Sequence, residues 1–251
     1  MPSKDTNVGA KRARQTREAL DLDLAAPLDC VLTLVEAALE LPVVIAALPA
    51  GVAGCCWRDG ERVVLWVNGA HAPVRQRFTL AHELGHLRCG HDGAIPVETF
   101  TTLGGKATDS REVQANAFAA ELLAPAAGVV AMVDGTEPGM EEVVRLAATF
   151  GISTIAALYR LNSLGLCGRY AQLVAAIGEG EHEAVWERLG VTPKLDGIAG
   201  IDPSDLPRLS PALRGSALAA VAGGRASMDS AAESSGCDAG SMASGAASIG
   251  I

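Results

Sequence analysis

Pro73-Val74-Arg75-Gln76-Arg77-Phe78-Thr79-Leu80-Ala81-His82-Glu83-Leu84-Gly85-His86-Leu87-Arg88-Cys89 is the stretch on which the reading of this chain turns. Proline suits the first turn of a helix, and Gly90 followed by Asp92-Gly93 ends one, so the pattern predicts a helix over 73–89. His82 and His86 are four residues apart and therefore share a face of that helix, close enough to hold one ion between them. Zinc is the natural candidate. It accepts neutral imidazole nitrogen, and three protein ligands leave a fourth position for a water whose pKa falls toward about 7. Glu83 flanks that water and can take its proton. The bland alternative makes His82 and His86 ordinary helix histidines with Glu83 exposed beside them, and a third ligand decides between the two readings.

In one known spacing that ligand lies six residues after the second histidine, with a helix-ending glycine midway. Here those positions are Asp92 and Cys89, so the pattern fails at both. Cys89 and His91 are conceivable extra ligands near the helix end. Glu112 is the better one. A helix is predicted from a cap at Asp109 or Ser110 through Val113, Ala117, Ala120 and Leu123 to Pro125. It carries Glu112 and Asn116 one turn apart among Ala115, Ala117, Ala119 and Ala120. Small side chains there, and Gly85 opposite, allow two helices to approach, bringing Glu112 to the imidazoles while Asn116 orients a ligand. Glu112 is also a first-turn acid favourable to its own helix dipole, and both roles are compatible.

Working outward, the 251 residues are 49% apolar, enough for one large or two small domains with a real core. The net charge of -9 argues against a chain built to coat nucleic acid. Leu41 to Trp57 is uncharged up to its end but broken by Pro42, Pro49, Gly51 and Gly54, too short for a spanning helix, so no membrane association is expected. Met1 to Leu20 is polar and basic without an apolar run, which leaves the cytoplasm as the expected location. Six cysteines without metal-type pairing are expected as reduced thiols.

Before the motif, the first ten residues read as loose and Lys11 to Leu22 as a mixed-charge helix. A helix from Asp29 to Pro42, a strand from Val43 to Leu48, and a hairpin of 54–57 with 62–67 about Asp59-Gly60 follow. Beyond the motif, Thr99 to Thr108 reads as a loop. Met140 to Phe150 and Ser153 to Leu164 form a pair with helix-turn-helix spacing. Its second helix offers one cation, Arg160, and phosphate binding needs several, so direct DNA binding is not expected.

The run Arg77 to Leu87, together with Glu112-Val113-Gln114-Ala115-Asn116-Ala117-Phe118-Ala119-Ala120-Glu121-Leu122-Leu123-Ala124-Pro125, resembles the ImmA/IrrE family of bacterial metallopeptidases. Gly51 to Gly54 and the stretch from Phe150 to Leu161 resemble flanking parts of the same family, so the likeness covers roughly residues 11–170. Gln114 stands where the family usually has an acid, and Ala124 where it often has Met. The resemblance implies a gluzincin-like site in which His82, His86 and Glu112 are ligands of one zinc ion and Glu83 is the catalytic base. It also implies a protein substrate, a helix-turn-helix repressor whose cleavage derepresses mobile-element or stress-response genes. Tyr159, Arg160, Tyr170 and His182 are all available to support an oxyanion, and the sequence chooses none of them.

The expected fold is α+β, with a small antiparallel sheet packed on the motif helix and a mainly helical second half. The expected organisation is a flexible 1–10, a metallopeptidase domain over 11–170 that contains the helix pair at 140–164, an extension over 171–214, and a low-complexity, disordered tail over 215–251 dominated by Gly, Ala and Ser. The competing functional reading is a metal-binding regulator that binds a repressor or DNA without hydrolysing anything.

Overall fold

A computed structural model describes residues 3–49, 51–91, 109–195, 198, 201, 207–222, 227 and 229–230. The element order is α1 (Lys4–Ala19), α2 (Val31–Thr33) continued by a π-helical turn (Leu34–Ala38), β1 (Val43–Ala46), β2 (Gly54–Asp59), β3 (Arg62–Asn68), α3 (Pro73–Cys89), α4 (Ser110–Leu123), α5 (Ala126–Val133), α6 (Met140–Phe150), α7 (Thr154–Ser163), α8 (Tyr170–Gly178), α9 (Glu181–Leu189), β4 (Arg208–Leu209) and α10 (Pro211–Ala222). This is the expected α+β class with a helical second half.

The sheet is mixed, which corrects the expected antiparallel one. Its order is β2-β3-β1-β4, and β1 runs parallel to β3. The hairpin occupies one edge of β3, and β1 takes the other in a register that sets Val43 beside Leu65 and Ile45 beside Val67, all four buried. Matching those apolar residues across the ladder fixes the register, because a one-residue slip would turn them to the opposite face. β4 closes the far side antiparallel to β1. The guanidinium of Arg208 forks onto the carboxylate of Glu36, which ties this two-residue strand to the π-helical turn.

α3 lies against β2 and β3 and is buried from Thr79 through His86. Pro73 opens it, and Gly90 closes it in the left-handed conformation (φ 72°) that glycine adopts without cost. α4 begins at Asp109, whose carboxylate accepts the Arg111 N–H at 2.8 Å, and it packs antiparallel to α3. A Cβ built on Gly85 would come within 3.0 Å of the Ala115 carbonyl oxygen and 3.1 Å of the Phe118 Cβ, so the two backbones touch only because this residue has no side chain.

α1 begins at Lys4, which corrects the expectation that the first ten residues are loose. Ser3 caps it, and it runs alongside α4 in the same direction. Gly9 meets the backbone of Gln114, Arg14 pairs with Glu121 at 3.3 Å, and buried Arg17 donates twice to the Leu122 carbonyl. Desolvation holds the Arg17 guanidinium down to about 10. The helix expected from Asp29 to Pro42 is shorter than predicted. Cys30 rather than Asp29 caps it, its last turn closes on Leu34 and Val35 through bonds from Leu39 and Leu41, and Glu40 leaves it at positive φ.

α6 and α7 meet at Gly151 with a bend of 105°, and Ser153 caps α7. α9 packs on α6, and its Trp186 indole donates to Thr154 at 3.0 Å. α10 extends helix to Ala222, past the Gly215 at which composition alone expects disorder, because Ala and Leu favour helix wherever a start such as Pro211 is supplied. The expected loop at 99–108 and residues 231–251 lie outside the described residues. Among the described residues no single helix is long and apolar enough to cross a membrane.

The close approach at Gly85 predicts that Gly85→Val costs about 1–3 kcal/mol in urea unfolding, as overpacking does. Gly178→Ala serves as its control, since a Cβ there meets nothing within 4 Å and stability should hold or rise slightly. Cys55 and Cys56 on β2 are free thiols pushed up to about 11 and about 12, first by burial and then by the Glu83 carboxylate. At pH 8 a thiol at 11 carries about a hundredth of the thiolate of one at 9, so iodoacetamide should alkylate Cys55 about a hundredfold more slowly in the folded chain than in urea. Equal rates, read by mass spectrometry, would contradict this packing.

Candidate metal centre

His82 and His86 enter the interior from one face of α3, and Glu112 reaches them from the first turn of α4. All three are buried, and one ligand-type atom from each lies within 4.8 Å of the others. The two Nε2 atoms are 2.9 Å apart, and the Glu112 oxygens Oε2 and Oε1 lie 3.4 Å from His82 Nε2 and His86 Nε2 respectively. Glu112 Oε2 accepts no hydrogen bond among the described residues.

The far sides of the rings define their protonation. His82 Nδ1 is 2.9 Å from the Asn116 side-chain oxygen, so it carries the proton and donates. His86 Nδ1 is 2.9 Å from Nδ1 of His91, and His91 Nε2 is 3.2 Å from the side-chain oxygen of Gln114. Gln114 accepts there, so His91 is protonated on Nε2 and its Nδ1 accepts from His86. Burial lowers the His91 pKa from its ordinary value and keeps that ring neutral at pH 7, against a smaller opposing push from the Gln114 hydrogen bond. Both ligand-type histidines therefore turn Nε2 lone pairs toward each other and toward a carboxylate. Two lone pairs and an anion converging in a buried space repel unless a cation lies among them. The nitrogen-nitrogen-oxygen set fits a divalent metal of the zinc type.

Of the conceivable extra ligands, His91 stands behind His86 on the side away from Glu112, where it holds the ring instead of joining the cluster. Cys89 is a half-buried thiol pushed up to about 11 by burial, which disfavours the thiolate a metal would need. Asp92 lies outside the described residues.

Glu83 follows His82 on α3 and is fully buried between that helix and β2. A Cβ on Gly54 would stand 2.6 Å from Thr79 Cγ2 and 3.2 Å from Glu83 Oε1, so the glycine at the start of β2 makes room for the carboxylate. Among the described residues β2 is an outer strand of the sheet, paired with β3 alone. Among the residues available to support an oxyanion, Arg160 is buried and donates to the Ala124 carbonyl and to Glu121, and the Tyr159 and Tyr170 rings meet at a tilt of 38° with centres 6.2 Å apart. The His91-Gln114 contacts escape a motif-based reading. The composition signal was present all the same, since one of only five histidines lies one turn past the motif.

A family profile described as the IrrE N-terminal-like domain, among peptidase families, matches residues 44–162. That span takes in the sheet up to β3, α3, α4 and the α6–α7 pair. The chain is also 34% identical over 111 residues to the radiation response metalloprotease IrrE of Deinococcus radiodurans, a match over 42% of this chain and 34% of the relative. It is 34% identical over 104 residues to the protein of the same name from Deinococcus deserti, a match over 41% and 37% respectively. The chain thus spans little more than a third of the length of these curated relatives. Residues 44–162, which carry both histidines and the acid that meets them, are thus similar to the IrrE N-terminal-like domain.

Proposed function

We propose that this protein is a zinc-dependent endopeptidase in which His82, His86 and Glu112 hold one zinc ion, Asn116 orients His82, and Glu83 is the catalytic base. The observation that carries the reading is the buried convergence of two Nε2 lone pairs on the Glu112 carboxylate, with Glu83 on the same turn as His82. The name of the Deinococcus relatives, radiation response metalloprotease, points the same way.

A divalent ion in that site supplies Lewis acidity, polarising the scissile carbonyl and acidifying the attacking water. The remaining work falls to the chain. Glu83 takes one proton from the water as its oxygen bonds to the carbonyl carbon, and then delivers that proton to the amine nitrogen as the C–N bond breaks. Burial beside Gly54 holds the Glu83 carboxylate in a fixed place next to His82. The outer position of β2 favours a substrate segment bound in extended form, pairing with that strand so that its carbonyl passes Glu83.

The substrate we propose is a helix-turn-helix repressor, cut in the cytoplasm to relieve repression of stress-response or mobile-element genes. The α6–α7 pair is read as a docking or structural element. Arg160, the one cation of its second helix, is committed to Glu121, which supports a partner other than phosphate.

Glu83→Gln keeps the size and burial of the side chain and removes the base. Zinc content, measured by atomic absorption, should remain one ion per chain, while cleavage falls at least about a hundredfold. New protein N-termini compared between cells expressing wild type and Glu83→Gln identify the substrate. A Glu83-dependent terminus inside a DNA-binding repressor is the expected result. Loss of repression that is equal in both strains and leaves no new terminus would overturn the peptidase reading.

A further inference from the structure

Resting on the metal site proposed above, we infer that Asp5, Gln114 and His91 form a positioning chain that sets the tautomer of His86, so that a side chain on α1 governs metal affinity. The chain begins at the surface. The Gln114 amide nitrogen donates to Asp5 Oδ1 at 2.8 Å and lies 3.3 Å from Ser110 Oγ, while its oxygen faces His91 Nε2 at 3.2 Å. A primary amide presents an acceptor at one end and donors at the other, and the two orientations have nearly the same shape. The Ser110 hydroxyl donates its one proton to Asp5 and is left to accept from the amide, so its choice follows from that of the carboxylate. The Asp5 carboxylate only accepts, and it does choose. Its hydrogen bonds to Ser110 and Gln114 hold the Asp5 carboxyl below its ordinary value, so it is ionised at neutral pH.

Each following step has one solution. With the amide oxygen toward His91, that ring must donate from Nε2, its Nδ1 must accept, and His86 must donate from Nδ1 across 2.9 Å. The His86 lone pair is thereby placed on Nε2, facing Glu112. If the amide turned over, its NH₂ would meet the His91 Nε2 proton. Relieving that clash moves the proton to His91 Nδ1, against His86, and His86 then loses the tautomer in which Nε2 is a ligand. His82 has no such dependence, because Asn116 accepts its Nδ1 proton directly.

The arrangement also explains why the first helix is ordered where it is. Gly9 lets α1 settle on the backbone of Gln114, which brings Asp5 within reach of the same residue's side chain. One residue of α4 is thus contacted by α1 through both its backbone and its amide.

The test measures zinc affinity by competition with a chromophoric chelator in the full chain, with His86→Ala as the control that must abolish binding. Asp5→Ala should weaken zinc by about 10- to 100-fold, the usual cost of losing an outer partner of a ligand. Asp5→Ala combined with Gln114→Glu should bind near the wild-type value, because a carboxylate accepts from His91 in either orientation and needs no partner to hold it. A purely structural role for Asp5 in docking α1 would not be rescued this way. Long-range proton-nitrogen correlation spectra should place the proton on Nε2 of His91 and Nδ1 of His86 in the wild type. Binding that requires His86 but ignores Asp5→Ala, a double variant as weak as the single one, or His91 protonated on Nδ1 would overturn the positioning chain alone. Zinc binding that survives His86→Ala would overturn the site itself and the chain with it.

Discussion

Two helices can bring their backbones into contact only where side chains do not hold them apart, and the α3–α4 crossing at Gly85 is where this protein meets that condition. With Gly85 on Ala115, His86 falls opposite Glu112 and His82 opposite Asn116, so one close approach sets both the convergence of the imidazoles on Glu112 and the hydrogen bond behind His82. The sheet braces α3 from one side, and α1 presses α4 from another. Most of the fold before residue 124 can be understood as holding that crossing in place.

The crossing also concentrates groups that a core normally excludes. Glu83 and both histidines are essentially without solvent, and Glu112 is nearly so. Burying a carboxylate costs several kcal/mol unless a partner or an ion offsets it. Elsewhere the protein obeys that rule visibly. Buried Glu121 pairs with Arg160 and Arg14, and buried Arg17 and Arg77 donate to backbone carbonyls. Each uses cations or amide dipoles of the chain itself, whereas the three groups of the candidate metal centre turn lone pairs and a negative charge to one another. The contrast lies within one core, which makes it a local demand for a cation and not a general tolerance of buried charge.

What was legible in the sequence follows from what a local pattern can encode. α3, α4, α6 and α7 were readable to within a few residues because their starts and stops are written in residues with fixed backbone roles: Pro73, Gly90, Asp109, Pro125, Gly151 and Ser153. The start of α1 was not, because its buried positions are Gly9, Ala13, Thr16 and Arg17, none of them a large apolar residue, and a search for hydrophobic periodicity passes over them. The parallel pairing of β1 with β3 and the two-residue β4 are long-range choices without a local signature. For the site, the motif and the acid at 112 were both readable. The support behind His86 was not, since it joins residues 5, 91 and 114 through contacts that only the fold creates.

Where local rules are broken without local compensation, function is the usual reason. Gly85 and Gly54 give up helix and strand propensity to admit a neighbouring backbone and a carboxylate, and both lie against the same cluster. Asn116, which is not a strong helix former, sits mid-helix with its side chain turned to a ring nitrogen. These departures converge on one small volume, while α6 and α7 carry ordinary N-terminal caps, the Glu142 carboxylate on the Gly139 N–H and the Ser153 hydroxyl on the Ala156 N–H. The energetic sacrifice is therefore focused, and it falls where a cation and an attacking water would need preset partners, because groups already oriented before the reaction need no reorganisation during it.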